Sequence, residues 1–144
     1  MSELAYSSAI AIADKIRRRE ISSREAVDFF LARVASLDKR INSVVTIDAA
    51  RARAEADEAD AALTRGEVRG PLHGVPMTIK DSFQTAGMRT TSGAPELAKF
   101  IPEEDQKTVT SPSFIADRFT IATTWPVISR TSLSPLVFNE RVSV

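Results

Sequence analysis

Residues 70–93 read GPLHGVPMTIKDSFQTAGMRTTSG and hold four of the chain's five glycines and its single histidine. Gly70-Pro71 and Gly74-Val75-Pro76 are turn signals, because each proline fixes φ and pushes its predecessor into extended geometry. Pro76 lacks a backbone donor, so it belongs at the start of a strand rather than inside a central one. Met77-Thr78-Ile79-Lys80 is too short for a helix between such breakers, and the pattern predicts a strand that ends in a charged amine. Strand C-termini are where open α/β sheets place their ligand sites. The loop that follows carries Gly87 and Gly93, which permit positive φ or close backbone approach. From spacing alone, a lysine beside Asp81 is usually a solvent-facing or ion-paired group. Adjacent strand residues face opposite ways, so Asp81 is assigned a structural role, ordering the loop. His73, in a proline-bounded turn without an identifiable partner, is assigned as structural or exposed.

Upstream, the pattern predicts three helices and a strand. Residues 7–19 form the first helix, with Ile12 and Ile16 one turn apart and Arg17 to Arg19 at the negative end of its dipole. Ser22 and Glu25 are spaced as a capping box. Behind it Val27, Phe30, Val34 and Leu37 make an apolar stripe that should face a core, widened by Phe29 and Leu31. Val44 to Ile47 is a β-branched run read as a strand. Asp48 caps an alanine-rich helix that ends at Gly66, with i,i+4 pairs expected between Arg51 and Glu55 and between Arg53 and Asp57. This weakly amphipathic helix is expected to cover a sheet.

The totals narrow the classes. A chain of 144 residues is one ordinary domain at most, long enough to bury a core. Its 19 basic and 19 acidic side chains cancel, so nothing electrostatic favours nucleic acid or an anionic membrane as partner. With no cysteine and one histidine, neither disulfides nor thiolate metal sites are available, and no cofactor or metal is expected. The N-terminus lacks the uninterrupted apolar run of a secretory signal, and the expected location is the cytoplasm.

The turn G-P-L-x-G-x-P, the strand ending in I-K-D and the loop A-G-M-x-T-T-x-G agree in register over residues 70–94. Together they resemble the N-terminal signature region of the amidase signature family of amide hydrolases. The capped helix and the run LDKRINSVVTI are similar as well, so the resemblance covers roughly residues 5–105. It implies an α/β fold, the N-terminal part of a structure in which helices pack on a mixed β-sheet. It also implies a reaction: a nucleophilic serine, bridged through a second serine to a lysine at the end of this strand, cleaves an amide carbon–nitrogen bond. By position that lysine is Lys80, the one catalytic candidate of the chain. The resemblance implies that it is buried and neutral, since burial disfavours the ammonium, and that it accepts the proton relayed from the nucleophile. The implied substrate is a small-molecule amide, and the match is somewhat nearer to general amidases than to the tRNA-dependent amidotransferases of the same family.

After Asp105 the resemblance stops. The family pattern implies a helix of the form A-x-V-x-x-L-x-x-A-G, a strand carrying G-K-T-N and, later, the glycine-rich segment that bears both serines. Residues 106–144 contain no glycine and only two alanines, Ala116 and Ala122, while serine and threonine become abundant. A domain junction, a diverged C-terminal part or a lost reading frame near codon 105 would each give such a break. We favour the third, and expect residues 1–105 to be the amidase-like part and 106–144 an irregular or disordered tail. None of Ser111, Ser113, Ser129, Ser132, Ser134 and Ser143 has an adjacent serine. The chain alone is therefore expected to be inactive; the alternatives are a hydrolase completed by a serine-bearing amidase chain and a non-catalytic binding or regulatory fragment that pairs with a full-length amidase.

Overall fold

The computed structural model describes residues 2–106 and 120–124. Helix α1 spans Ala9–Arg17, α2 Ser23–Leu37 and α3 Ala49–Thr64; strand β1 spans Val44–Ile47, β2 Met77–Lys80 and β3 Thr120–Thr124. Every helix start is written in a local side chain. Ser8 accepts from the Ala11 N–H, and Asp48 accepts from the Arg51 N–H. At α2 both arms of the capping box form: Ser22 accepts from the Glu25 N–H at 3.0 Å, and Glu25 accepts from the Ser22 N–H at 2.8 Å. α3 ends in a Schellman closure, with Gly66 at φ +81° donating to Leu63 O and the Glu67 N–H to Ala62 O.

The core lies among the helices. Ile12, Ala13 and Ile16 of α1 pack with Ala26, Val27, Phe30 and Leu31 of α2 and with Ala52, Ala56, Ala59 and Leu63 of α3. The alanine face lets α3 approach α2 closely, so α3 buries its small residues against a neighbouring helix. The expected stripe on α2 is buried only as far as Leu31; Val34 is half-buried and Leu37 is 36% exposed. The charges follow the packing. Arg51 pairs with Glu55 at 2.8 Å as expected, but Arg53 reaches Asp28 at 2.7 Å and Asp57 meets Arg24 at 2.6 Å. The expected Arg53–Asp57 pair is thus replaced by two bridges between α2 and α3, because the facing helix offers an opposite charge to each.

The three strands form one mixed sheet in the order β1-β3-β2, with β3 antiparallel to β1 and parallel to β2. The α/β class, with helices beside a mixed sheet, is as the sequence implies. The irregular tail needs correcting at Thr120–Thr124, a β-rich stretch that pairs on both sides and thereby joins β1 to β2. The rest of the tail, and with it the expected boundary's C-terminal side beyond Gln106, lies outside the described residues. Among the described residues no helix is long and apolar enough to cross a membrane.

Candidate functional site

The turn before β2 is seated on the helical core. Gly74, at φ +77°, lies against Ser23 and Ile16, and Val75 beside it is buried. His73 is 3% exposed: its Nδ1 accepts from the Arg69 N–H at 3.2 Å and its Nε2 lies 3.1 Å from Ala59 O. The first contact requires a bare Nδ1, which assigns the proton to Nε2. His73 is therefore a buried structural link between the turn and α3, and the exposed alternative is set aside.

β2 then runs to Lys80, which stands in register with Thr124 of β3. Ile79 is buried and points inward, whereas Lys80 is exposed and its amine makes no hydrogen bond or ion pair among the described residues. The burial that the resemblance implies for this amine is not found. Among the described residues β2 is an outer strand of the sheet, and its last residue faces solvent. Asp81 turns the other way and is 1% exposed. Its carboxylate accepts from the Thr91 N–H at 3.0 Å and from the Thr91 hydroxyl, and its carbonyl accepts from the Ser92 N–H at 3.1 Å. Asp81 thus closes the base of the loop, the role expected for it.

Loop 82–93 is held along its whole length. Phe83 N–H donates to Lys80 O at 2.9 Å, reversing the chain at once. Segment 100–106 laces back beside it: Gln106 N–H donates to Gln84 O, Gly87 N–H to Pro102 O and Thr90 N–H to Phe100 O, at 2.9–3.0 Å. Thr85, Met88 and Thr90 are buried beneath it. Two arginine contacts tie the loop to other elements: Arg51 of α3 donates to Ala86 O at 2.8 Å, and Arg89 of the loop donates to Val45 O of β1 at 2.9 Å. Neither contact is legible in sequence, since 35 and 44 residues separate the partners.

Two adjacent serine pairs lie in the described residues, and both serve helix starts. Ser8 of Ser7-Ser8 caps α1; Ser22 of Ser22-Ser23 is engaged with Glu25, while Ser23 is fully buried. Among the described residues no cluster of three or more histidine, cysteine or carboxylate side chains is placed to hold a metal.

A family model described as Amidase matches residues 25–111, more than half of the chain and including the whole of β2 and its loop. The chain belongs to the amidase signature family. In sequence this family member is 42% identical over 107 residues to the A-type component of the glutamyl-tRNA(Gln) amidotransferase of Moorella thermoacetica, covering 74% of the chain and 22% of that relative. The corresponding protein of Halorhodospira halophila is 48% identical over 89 residues, covering 62% of the chain and 18% of the relative. In structure it matches the peptide amidase of Stenotrophomonas maltophilia with a TM-score of 0.75 at 29% identity, over 83% of the chain and 24% of that protein. A bacterial aryl acylamidase of the amidase signature family matches with a TM-score of 0.73 at 25% identity, over 83% of the chain and 25% of that protein. These sequence relatives are A subunits of amidotransferases, and these structural ones are amidases. The chain spans about a fifth of the length of the curated relatives it matches.

Proposed function

We propose that this chain is the lysine-bearing N-terminal part of an amide hydrolase, with Lys80 as the base of a serine–serine–lysine relay. The observation that carries the reading is the placement of Lys80: the last residue of β2, exposed, without an ion-pair partner among the described residues, at the mouth of a loop already fixed in shape. In that relay a serine hydroxyl adds to the amide carbonyl while its proton passes through the second serine to the lysine amine. The C–N bond then breaks, the leaving amine takes the proton, and water hydrolyses the acyl ester to release the acid. Such a base needs a hydroxyl beside it and a cover that excludes water. Both belong to segments that residues 1–105 do not contain, and we take residues 106–144 as a frame-lost tail that, although Thr120–Thr124 pairs with β1 and β2, does not restore them.

The 144-residue polypeptide alone is accordingly inactive. In the best-studied triads, loss of a member removes most of the rate enhancement. The substrate is a small amide, no cofactor takes part, and the chain acts in the cytoplasm. A second reading is a non-catalytic fragment that pairs with a full-length amidase or another serine-bearing partner. It is favoured by β2 having, among the described residues, a strand neighbour on one side only, since an open strand edge invites pairing with another chain.

The deciding experiment incubates the purified protein with aliphatic and aryl amides, alone and mixed with a serine-bearing amidase fragment, and measures ammonia. No release alone, with release from the mixture that Lys80→Ala abolishes, supports the first reading. A stable complex without turnover supports the second. Turnover by the chain alone, through a serine of its own, overturns both.

A further inference from the structure

Ala86 and Gly87, at the far bend of the loop that leaves Lys80, are gripped from two sides. From α3, Arg51 Nη1 donates to Ala86 O at 2.8 Å while its Nε donates to Glu55 Oε1 at 2.8 Å. Glu55 sits one helical turn further on, so it fixes the plane of the guanidinium that makes the reach. From the other side, Asp105 accepts from the Ala86 N–H at 2.9 Å and Pro102 O accepts from the Gly87 N–H at 2.9 Å. Gly87, at φ +74°, turns the chain there, and a Cβ on it would lie 3.9 Å from Arg51 Nη1. The guanidinium therefore rests beside the turn as well as on its carbonyl. From this bend the loop returns to the strand end, where Thr91 and Ser92 bond the carboxylate and carbonyl of Asp81. Hydrogen bonds thus tie the first turn of α3 to the bend of the loop, and the backbone from that bend leads to Thr91 and Ser92, which bond the residue next to Lys80.

We propose that Arg51 is a positioning residue: by holding Ala86 O it fixes loop 82–93, and through Asp81 it sets the direction in which Lys80 leaves β2. The proposal rests on the reading of Lys80 as the reactive amine, but not on the identity of the substrate. Arginine suits the task because its planar fork satisfies Glu55 and Ala86 at once. A lysine amine at the same place is a single point and would divide itself between them.

The test uses the whole 144-residue protein, isotopically labelled for NMR, with Arg51→Gln, Arg51→Lys and, as a control on the same helix, Arg53→Gln. Amide exchange is followed at Gly87, Thr91 and Ser92, and the Lys80 side-chain ε-CH₂ signal reports its surroundings. Losing one charged hydrogen bond should speed local opening by about tenfold or more in Arg51→Gln. The Lys80 signal should move with it, Arg51→Lys should restore part of both effects, and Arg53→Gln should reproduce neither. Should Arg51→Gln fail to fold, Glu55→Gln keeps the reach to Ala86 but frees the guanidinium plane, and should show the same pair of changes at smaller size. Faster exchange with an unmoved Lys80 signal would reduce Arg51 to a purely structural tether and overturn the proposal. Unchanged exchange, or equal effects in Arg53→Gln, would overturn it too. If amide turnover by a complemented enzyme proved indifferent to Lys80→Ala, the proposed function would fall while the coupling from Arg51 to the strand end stood.

Discussion

Replacing Gly74 by alanine tests how the turn before β2 is seated on the helices. A Cβ at that position would lie 2.1 Å from Ser23 Oγ, 3.1 Å from Ile16 Cγ2 and 3.2 Å from Ser23 Cβ. Two costs combine. Holding an alanine at φ +77° costs about 1–2 kcal/mol, because its Cβ crowds the backbone carbonyl. Forcing a methyl into a filled space costs about 1–3 kcal/mol more. Gly74→Ala should therefore destabilise the protein by about 2–5 kcal/mol. Ser23→Ala separates the two terms. The Ser23 hydroxyl is buried and has no hydrogen-bond partner among the described residues, so deleting it should be close to neutral or slightly stabilising. In the double variant the clash with Oγ is gone and only the backbone term and the two looser contacts remain. The coupling between the substitutions should be about 1–2 kcal/mol in favour of the double variant. Urea unfolding followed by far-UV circular dichroism measures all four proteins, and a constant m-value shows that the shifts are in stability. Costs that simply add, to within about 0.5 kcal/mol, would mean that the hydroxyl swings aside freely and that Gly74 is required for its φ alone.

Asp60→Ala should cost about 1–2 kcal/mol, since Asp60 accepts from the Ser23 and Arg24 N–H groups at 2.8 and 3.1 Å and so caps α2 from α3; Asp60→Asn should recover part of this in the same urea assay, and equal losses in the two would refute the capping role. The pH dependence should carry the mark of the depressed carboxylates at α2, Glu25 and Asp28. Glu25 is held below its ordinary value by the Ser22 backbone N–H and then the Ser22 hydroxyl, and Asp28 by its hydrogen bond from Arg53 and, less strongly, from Arg24. Depressed folded values mean that the unfolded chain takes up protons first as pH falls. Their stabilisation should be complete above the unfolded values of roughly 3.9–4.3 and be lost as pH drops through the lower folded ones. Urea midpoints from pH 7 to 3 should fall less steeply in Glu25→Gln than in the parent, and parallel slopes would count against the capping box as a source of acid sensitivity.

Most of the framework was legible because its signals are local. Ser22 with Glu25, Asp48 before the alanine run, Gly66 after it and Pro76 before β2 each act within a few residues, and each stands where the sequence places it. What was not legible depends on which elements meet. Arg53 and Asp57 are correctly spaced to pair along α3, yet each finds a partner on α2, because nothing in a single helix says what faces it. Leu37 continues the apolar stripe of α2 but lies past the end of the neighbouring helix packing, and stays exposed. The strand Thr120–Thr124 fell within the expected irregular tail, since a place between β1 and β2 is a property of distant pairings.

The site divides along the same line, and this bears on how it works. Much of what shapes the loop after Lys80 lies within the described residues: the fold of the turn, the buried Asp81, the lacing of 100–106 and the two arginine contacts. The amine itself is presented to solvent at the end of an outer strand. With Lys80 as the proposed base, a tethered loop beside an open amine is what one half of a composite site would present before the other half arrives. Ordering that loop only on assembly would charge its conformational entropy to the association, at about 1–2 kcal/mol per residue of backbone fixed. With the loop already tethered through Arg51, Arg89 and Asp81, an incoming segment has to order little beyond itself and the Lys80 side chain.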